Sequence, residues 1–319
     1  MDKNAKILVL GSGGLIGGKI VSRLRAAGYQ NVIPCGHSRL DLVDQQATRA
    51  FMREIKPDYL FFCAVKAITD FESGAVGDAE ELYSNSMMAC NVMQAAYECG
   101  VKKAVFLGSA MLYPWNITPC PERLTEDMLG QFNLGGYSAP MQSAVLSKLF
   151  LYKLCQFYNR QYHCRFIYCM PAHIYGGFSG RRSLYFTERL VMAICDAARE
   201  GKTELFLDVF GRGEAKKNLL HVDDCADAII TVMDRYEGAD TAVNIASDEF
   251  VTWRQVVDML CEITGYRGHI SFHADRKENL ANRLCSVKKL DELGWKPQIT
   301  VYEGLRQLCL EYMRMEMDT

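Results

Sequence analysis

Lys6-Ile7-Leu8-Val9-Leu10-Gly11-Ser12-Gly13-Gly14-Leu15-Ile16-Gly17-Gly18 reads as a strand, a glycine turn and the start of a helix. The apolar run Lys6 to Leu10 has strand length, and after the glycines Ile20, Val21, Leu24 and Ala27 recur at helical spacing. Glycine lets such a turn close and lets backbone amides approach a pyrophosphate, whose charge the positive helix N-terminus offsets. In this context Gly11, Ser12, Gly14, Leu15, Ile16 and Gly17 predict a dinucleotide site. Which dinucleotide depends on the end of the second strand, where a carboxylate would bond the adenosine ribose of NAD and repel a 2′-phosphate. Cys35-Gly36-His37-Ser38-Arg39 offers no carboxylate, so NADP(H) is the expected cofactor, with His37, Ser38 and Arg39 toward the phosphate. The plainer alternative is that Arg39 is a solvated surface charge. Asp41 and Leu42, a little further on, are expected beside the adenine.

Outward from this turn, strands and helices alternate. A strand over Asn31 to Cys35, a helix over Gln45 to Ile55 and a strand over Leu60 to Val65 are followed by a helix from about Glu80 to Cys99. A strand over Lys103 to Leu107, a helix from about Gln142 to Asn159 and a strand over Arg165 to Met170 continue the series. Nearly continuous apolar strands at this spacing predict an α/β fold, a doubly wound parallel Rossmann sheet covered on both faces. After Tyr175 the rhythm changes to a polar loop, Gly176 to Ser183, and a helix from about Thr187 to Arg199, while Ala226 to Met233 and Ala242 to Ile245 return to the first sheet. The expected division is an NADP-binding domain of residues 1–175 and 218–248, and a smaller interleaved substrate lobe of 176–217 and 249–319. The cleft between them is the expected small-molecule site.

The 319 residues carry 36 basic and 38 acidic side chains, a formal charge of −2, too balanced for a protein that tracks nucleic-acid phosphates. No apolar run approaches the ~18 residues of a bilayer span. Met1 to Lys6 leads into a strand without a signal peptide's apolar stretch, so a soluble, cytoplasmic protein with no nucleic-acid or membrane partner is expected. The 13 cysteines include no Cys-x-x-Cys pair, and Cys63, Cys90, Cys155, Cys169, Cys195 and Cys261 lie singly in apolar segments. They read as buried free thiols, and no metal site is expected.

Several collinear segments resemble the extended short-chain dehydrogenases/reductases, and within them the GDP-L-fucose synthases, NADPH-dependent epimerase/reductases of GDP-4-keto-6-deoxymannose. Beyond the glycine turn they are Lys56-Pro57-Asp58-Tyr59, Lys66, Asn85 and Asn91, Phe106 to Pro114, Leu154 to Tyr162, Met170 to Gly176, Leu220 to Asp224 and Leu293-Gly294-Trp295. The resemblance implies that Ser109 polarises a sugar ketone, that Lys148 holds the nicotinamide ribose, and that Ala64, Lys66, Pro171 and His173 border the cofactor. It implies a nucleotide diphosphate sugar as substrate, with Phe210, Lys217 and Arg283 at its basic and aromatic positions, and a homodimer formed through the helices near 80–99 and 142–159. An enzyme of this kind acts late in supplying an unusual surface-polysaccharide sugar.

The chain departs from the pattern where the proton chemistry lies. The family's catalytic Tyr stands one helical turn before the Lys, and here that position is Ala144. Loss of a positioned general acid costs about 10²–10⁴ in rate. Tyr137, on the preceding Gly-rich segment, and Tyr113, in the loop after Ser109, are the candidate substitutes. The two residues that would epimerise C3 and C5 are Met111 and, on an ungapped alignment, Thr187, neither of which does acid/base work near neutral pH. His173 reads either as a replacement base or as a hydrogen-bonded histidine beside the cofactor. The sequence therefore predicts an NADP(H)-dependent 4-keto reductase of a nucleotide-linked, GDP-type deoxy sugar, without epimerase function and impaired at position 144, whether that alanine is introduced or natural. The rival reading is a non-catalytic NADP-binding sensor or assembly subunit.

Overall fold

The computed structural model describes residues 1–66, 77–113, 122–131, 134–137, 139–178, 185–273, 275 and 284–317. The elements of the first half are β1 (Lys6–Leu10), α1 (Leu15–Ala26), β2 (Asn31–Cys35), α2 (Gln45–Ile55), β3 (Tyr59–Phe62), α3 (Asp78–Glu98), β4 (Lys103–Leu107), α4 (Ala139–Tyr162) and β5 (Phe166–Pro171). They continue with β6 (His173–Tyr175), α5 (Phe186–Arg199), β7 (Glu204–Phe210), β8 (Lys216–Lys217), β9 (Leu219–His221), α6 (Val222–Arg235) and β10 (Ala242–Ile245). The last are β11 (Val251–Thr252), α7 (Trp253–Thr264), β12 (His269–His273), α8 (Lys288–Glu292) and α9 (Val301–Met317).

Six strands form one sheet in the order β10-β5-β4-β3-β1-β2, every neighbouring pair parallel. The strands alternate their side chains between two buried faces, which is why they read as unbroken apolar runs. Leu8, Leu10, Leu60, Phe106 and Tyr168 face α3 and α4, through Met88, Val92, Val145 and Leu151. Ile7, Val9, Phe61, Val105 and Ile167 face the opposite way, onto Ile20 and Leu24 of α1 and Ile229 and Val232 of α6. The fold is a doubly wound Rossmann-type α/β fold. Because the chain runs outward from β1 to β2 and then returns to β3 on the other side of β1, the sheet has its topological switch point between β1 and β3, where ligands of such sheets bind.

A third core gathers α5, α7 and α9 with β7, around Val191, Ile194, Leu207, Val256, Leu260 and Leu305. Two-stranded ladders border it: β12 with β7, β11 with β8, and β6 with β9. The expected tail of the smaller lobe departs from this grouping at 284–295. There Leu290 and Trp295 pack on the large sheet's core and the Trp295 indole donates to Asp227 at 2.9 Å, so an aromatic anchor ties the tail to α6. The third strand, expected to reach Val65, ends at Phe62. Beyond it Cys63 N still donates to Leu10 O at 2.8 Å, and Gly11 packs so closely that a Cβ on it would lie 2.5 Å from the Ala64 nitrogen.

Candidate active site

The site begins with local geometry at the switch point. Gly11 has φ +78°, a left-handed conformation that glycine adopts without penalty, and its N–H donates to Cys35 O at 2.8 Å. A Cβ on Gly17 would lie 2.3 Å from Gly11 O, so the turn and the first helical turn touch backbone to backbone. Gly14 opens α1 and no side chain caps it. The helix start therefore presents uncapped N–H groups and the positive end of its dipole to the cavity, a cradle suited to a pyrophosphate.

That cavity has a volume of about 600 Å3. It is lined by Gly14, Leu15, Ile16 and Gly17 at the start of α1, by Cys63 and Ala64 after β3, by Ser109, Met111 and Lys148, and by Pro171 and His173 at the junction of β5 and β6, while Thr187 of α5 and Lys217 of β8 complete the lining. Ser109 ends an extended segment after β4 and caps the 3-10 turn Ala110–Leu112, its Oγ accepting from Met111 N at 3.2 Å. The acceptor side of the hydroxyl is thus engaged and its O–H remains able to donate to a ligand oxygen. Lys148, in the middle of α4, donates from Nζ to Leu107 O at 3.3 Å. Burial pulls its ammonium down to about 8, against the opposing pull of the Glu81 carboxylate.

Tyr168 of β5 holds these two residues in register. Its buried hydroxyl donates to Lys148 O at 3.1 Å, with the Ser109 backbone beside the phenol. Gly108 makes room for it, since a Cβ there would meet the Tyr168 ring at 2.1 Å. Ala144 lies half-buried one turn before Lys148 on α4. The two tyrosines considered as substitutes are committed elsewhere. The Tyr137 hydroxyl donates to Met111 O at 2.8 Å, and the Tyr113 hydroxyl donates to Asn244 Oδ1 at 2.7 Å, its phenol pushed far up by burial. Neither lines the cavity.

Residues 7–246 match the family described as NAD dependent epimerase/dehydratase. The chain belongs to that family. GDP-L-fucose synthase 1 of Arabidopsis thaliana is 32% identical over 316 residues, 98% of this chain and 94% of its own. Among solved structures, a GDP-mannoheptose C4 reductase from Campylobacter jejuni with NADP bound superposes with a TM-score of 0.83 at 27% identity, covering 98% of this chain and 99% of that one. A GDP-D-glycero-L-gluco-heptose synthase from the same organism, in the presence of NADPH, gives 0.84 at 26% identity over the same shares.

Within this epimerase/dehydratase framework the remaining singled-out residues fall in several places. His37, Ser38 and Arg39 are exposed just after β2, beside the glycine turn, and the Arg39 guanidinium donates to Pro34 O at 3.1 Å and lies over the Phe51 ring. Asp41 accepts from Val43 N at 3.0 Å, while the Leu42 side chain packs into the core under α3. Lys66 is clamped through its backbone to the Asn85 side chain, at 2.9 and 2.8 Å, and its ammonium pairs with Glu80. Phe210 stands exposed on β7 beside His273, outside the cavity lining. Arg283 lies outside the described residues. Sequence reasoning missed Tyr185, Asn218 and Cys285, which line the cavity too. Asn218 is held there by bonds from its amide to Ser247 O at 2.8 Å and from Cys285 N to its Oδ1 at 2.8 Å.

Proposed function

We propose that this chain is an NADP(H)-dependent 4-keto reductase of a GDP-linked 4-keto-6-deoxy sugar, without C3/C5 epimerase activity, working as a homodimer. The observation that carries the reading is one cavity lined by the uncapped start of α1, Ser109 and Lys148 together with Met111 and Thr187, the two positions to which the family resemblance assigns the epimerase acid/base pair. A solved relative described as a GDP-mannoheptose C4 reductase, at 27% identity, supports the reductase reading.

When bound, NADPH supplies the hydride. The N–H groups at the start of α1 hold the pyrophosphate, and His37, Ser38 and Arg39 at the end of β2 receive the 2′-phosphate. Lys148 binds the nicotinamide ribose, Pro171 and His173 border the ring, and the Ser109 O–H orients the ketone. Lys217, in the same lining, offsets the diphosphate charge of the sugar nucleotide.

The test is NADPH oxidation by the chain and by Ala144→Tyr with GDP-4-keto-6-deoxymannose, the product being examined by NMR. Ala144→Tyr is expected to raise kcat by about 10²–10⁴ with configuration kept at C3 and C5. Epimerised product, or no turnover with any 4-keto-6-deoxy nucleotide sugar, would overturn the proposal. Tight NADPH binding without turnover, whatever stands at 144, would favour a non-catalytic NADP-binding protein.

A further inference from the structure

A reductase with alanine at 144 needs another source for the proton that the ketone oxygen takes up. We propose that Lys148 is the proton donor of this chain and that Glu81 is the buried counter-charge that keeps it loaded, an inference that rests on the reductase reading above. Lys148 opens into the same cavity as Ser109, and one of the three N–H bonds of its ammonium is engaged by Leu107 O. Glu81 lies in the first turn of α3 at 6% exposure, and its Oε2 accepts from Ser143 Oγ at 2.7 Å. Ser143 is the neighbour of Ala144, so α4 holds the carboxylate five residues before Lys148.

The groups facing Lys148 leave Glu81 as the effective charge. From the end of β3, the Cys63 thiol is pushed up to about 12 by burial and stays neutral; from β5, Tyr168 meets the Lys148 carbonyl with a phenol held well above its ordinary range. A lysine at about 8 releases its proton far more readily than one near its usual value, which suits acid catalysis near neutral pH. Hydride arriving at the ketone carbon breaks the C=O π bond and leaves an alkoxide. The O–H bond forms as an N–H bond of Lys148 breaks, directly or through one bridging water, and the neutral amine regains its proton from solvent.

The charged form of Lys148 is lost as pH rises through its pKa, so the rate should fall above about pH 8. Removing the Glu81 charge should move that limb to lower pH, because the ammonium loses its stabilising partner. The experiment follows the lysine ε-carbon of Lys148 by NMR against pH in the chain as it stands and in Glu81→Gln, beside the pH profile of NADPH oxidation. A shared limb near 8, lowered by about one pH unit in Glu81→Gln, is expected. Lys148→Arg, which keeps the charge but does not release its proton, should lose turnover by ~10² or more, and Tyr185→Phe should keep the same limb. A rate limb that ignores the Lys148 titration, a Lys148→Arg enzyme as fast as its parent, or a limb abolished by Tyr185→Phe would overturn the proposal. A chain silent at every pH beside an active Ala144→Tyr would overturn it while leaving the reductase reading intact; silence of both would remove the two together.

Discussion

At the scale of single residues, the site is tuned by side chains that never touch a ligand. Tyr168 of β5 bonds the Lys148 carbonyl and lies against the Ser109 backbone, so its hydroxyl braces α4 beside the segment that follows β4. Tyr168→Phe keeps the ring that Gly108 accommodates and deletes the bond to Lys148 O. Loss of one buried bonding group costs about 1 kcal/mol, so the fold should persist with a modestly lower Tm. In the Ala144→Tyr background kcat should fall several-fold with little change in KM for NADPH, because orientation is lost and the cofactor cradle is not. Equal kcat in the two proteins would show that the brace is structural alone. The glycine turn predicts a sharper outcome. Gly17→Ala places a Cβ 2.3 Å from Gly11 O, a backbone atom that cannot swing aside, and NADPH binding followed by fluorescence should drop below detection.

At the scale of elements, α5 shows how a buried acid couples to a loop. Glu188 is fully buried in the first turn of α5; its Oε1 accepts from Gly176 N at 3.0 Å, while no partner is seen for Oε2. Burial raises the carboxyl to about 7 despite those backbone bonds. A carboxyl raised above its unfolded value favours the fold below about pH 4.5, and that contribution is lost as pH rises through about 7. Glu188→Gln keeps the acceptor for Gly176 and removes the ionisation, so it should melt a few degrees above the parent at pH 8, the gap closing toward pH 5. A pH-independent gap would put the effect in packing. Glu188 also marks where sequence reading stops. Strands such as Lys103–Leu107 and Ala242–Ile245 were legible because both their faces are buried, and the glycine turn because its chemistry is local. Acids in first helical turns, Glu81 and Glu188 among them, look like dipole-compensating surface residues until tertiary packing covers them. The part of the cavity lining with Tyr185, Asn218 and Cys285 comes from segments distant in sequence, and no local period announces it.

At the scale of the whole molecule, α3 and α4 lie side by side and turn one common face outward. Tyr83 and Tyr97 on α3 and Phe150, Phe157 and Tyr162 on α4 stand exposed, although the inner faces of the same helices are buried in the sheet's core. Tyr97 and Tyr162 stack at 4.3 Å and Tyr158 packs on both, so the two helices present a joined aromatic surface. Large apolar side chains held rigidly on adjacent helices are what a two-fold interface buries, each copy offering the same patch. We propose this surface as the interface of the dimer expected from the family resemblance. Light scattering after size exclusion should give about twice the 36.0 kDa chain mass. Tyr97→Glu combined with Phe157→Glu, both on exposed positions, should yield a folded monomer, because two desolvated carboxylates facing their symmetry mates oppose burial. Secondary structure by circular dichroism should be unchanged in that monomer, and NADPH binding retained, since the α1 cradle lies on the opposite face of the sheet from these helices. A parent chain that is monomeric at tens of micromolar would discard the interface, and a dimer untouched by the double substitution would move it to another face.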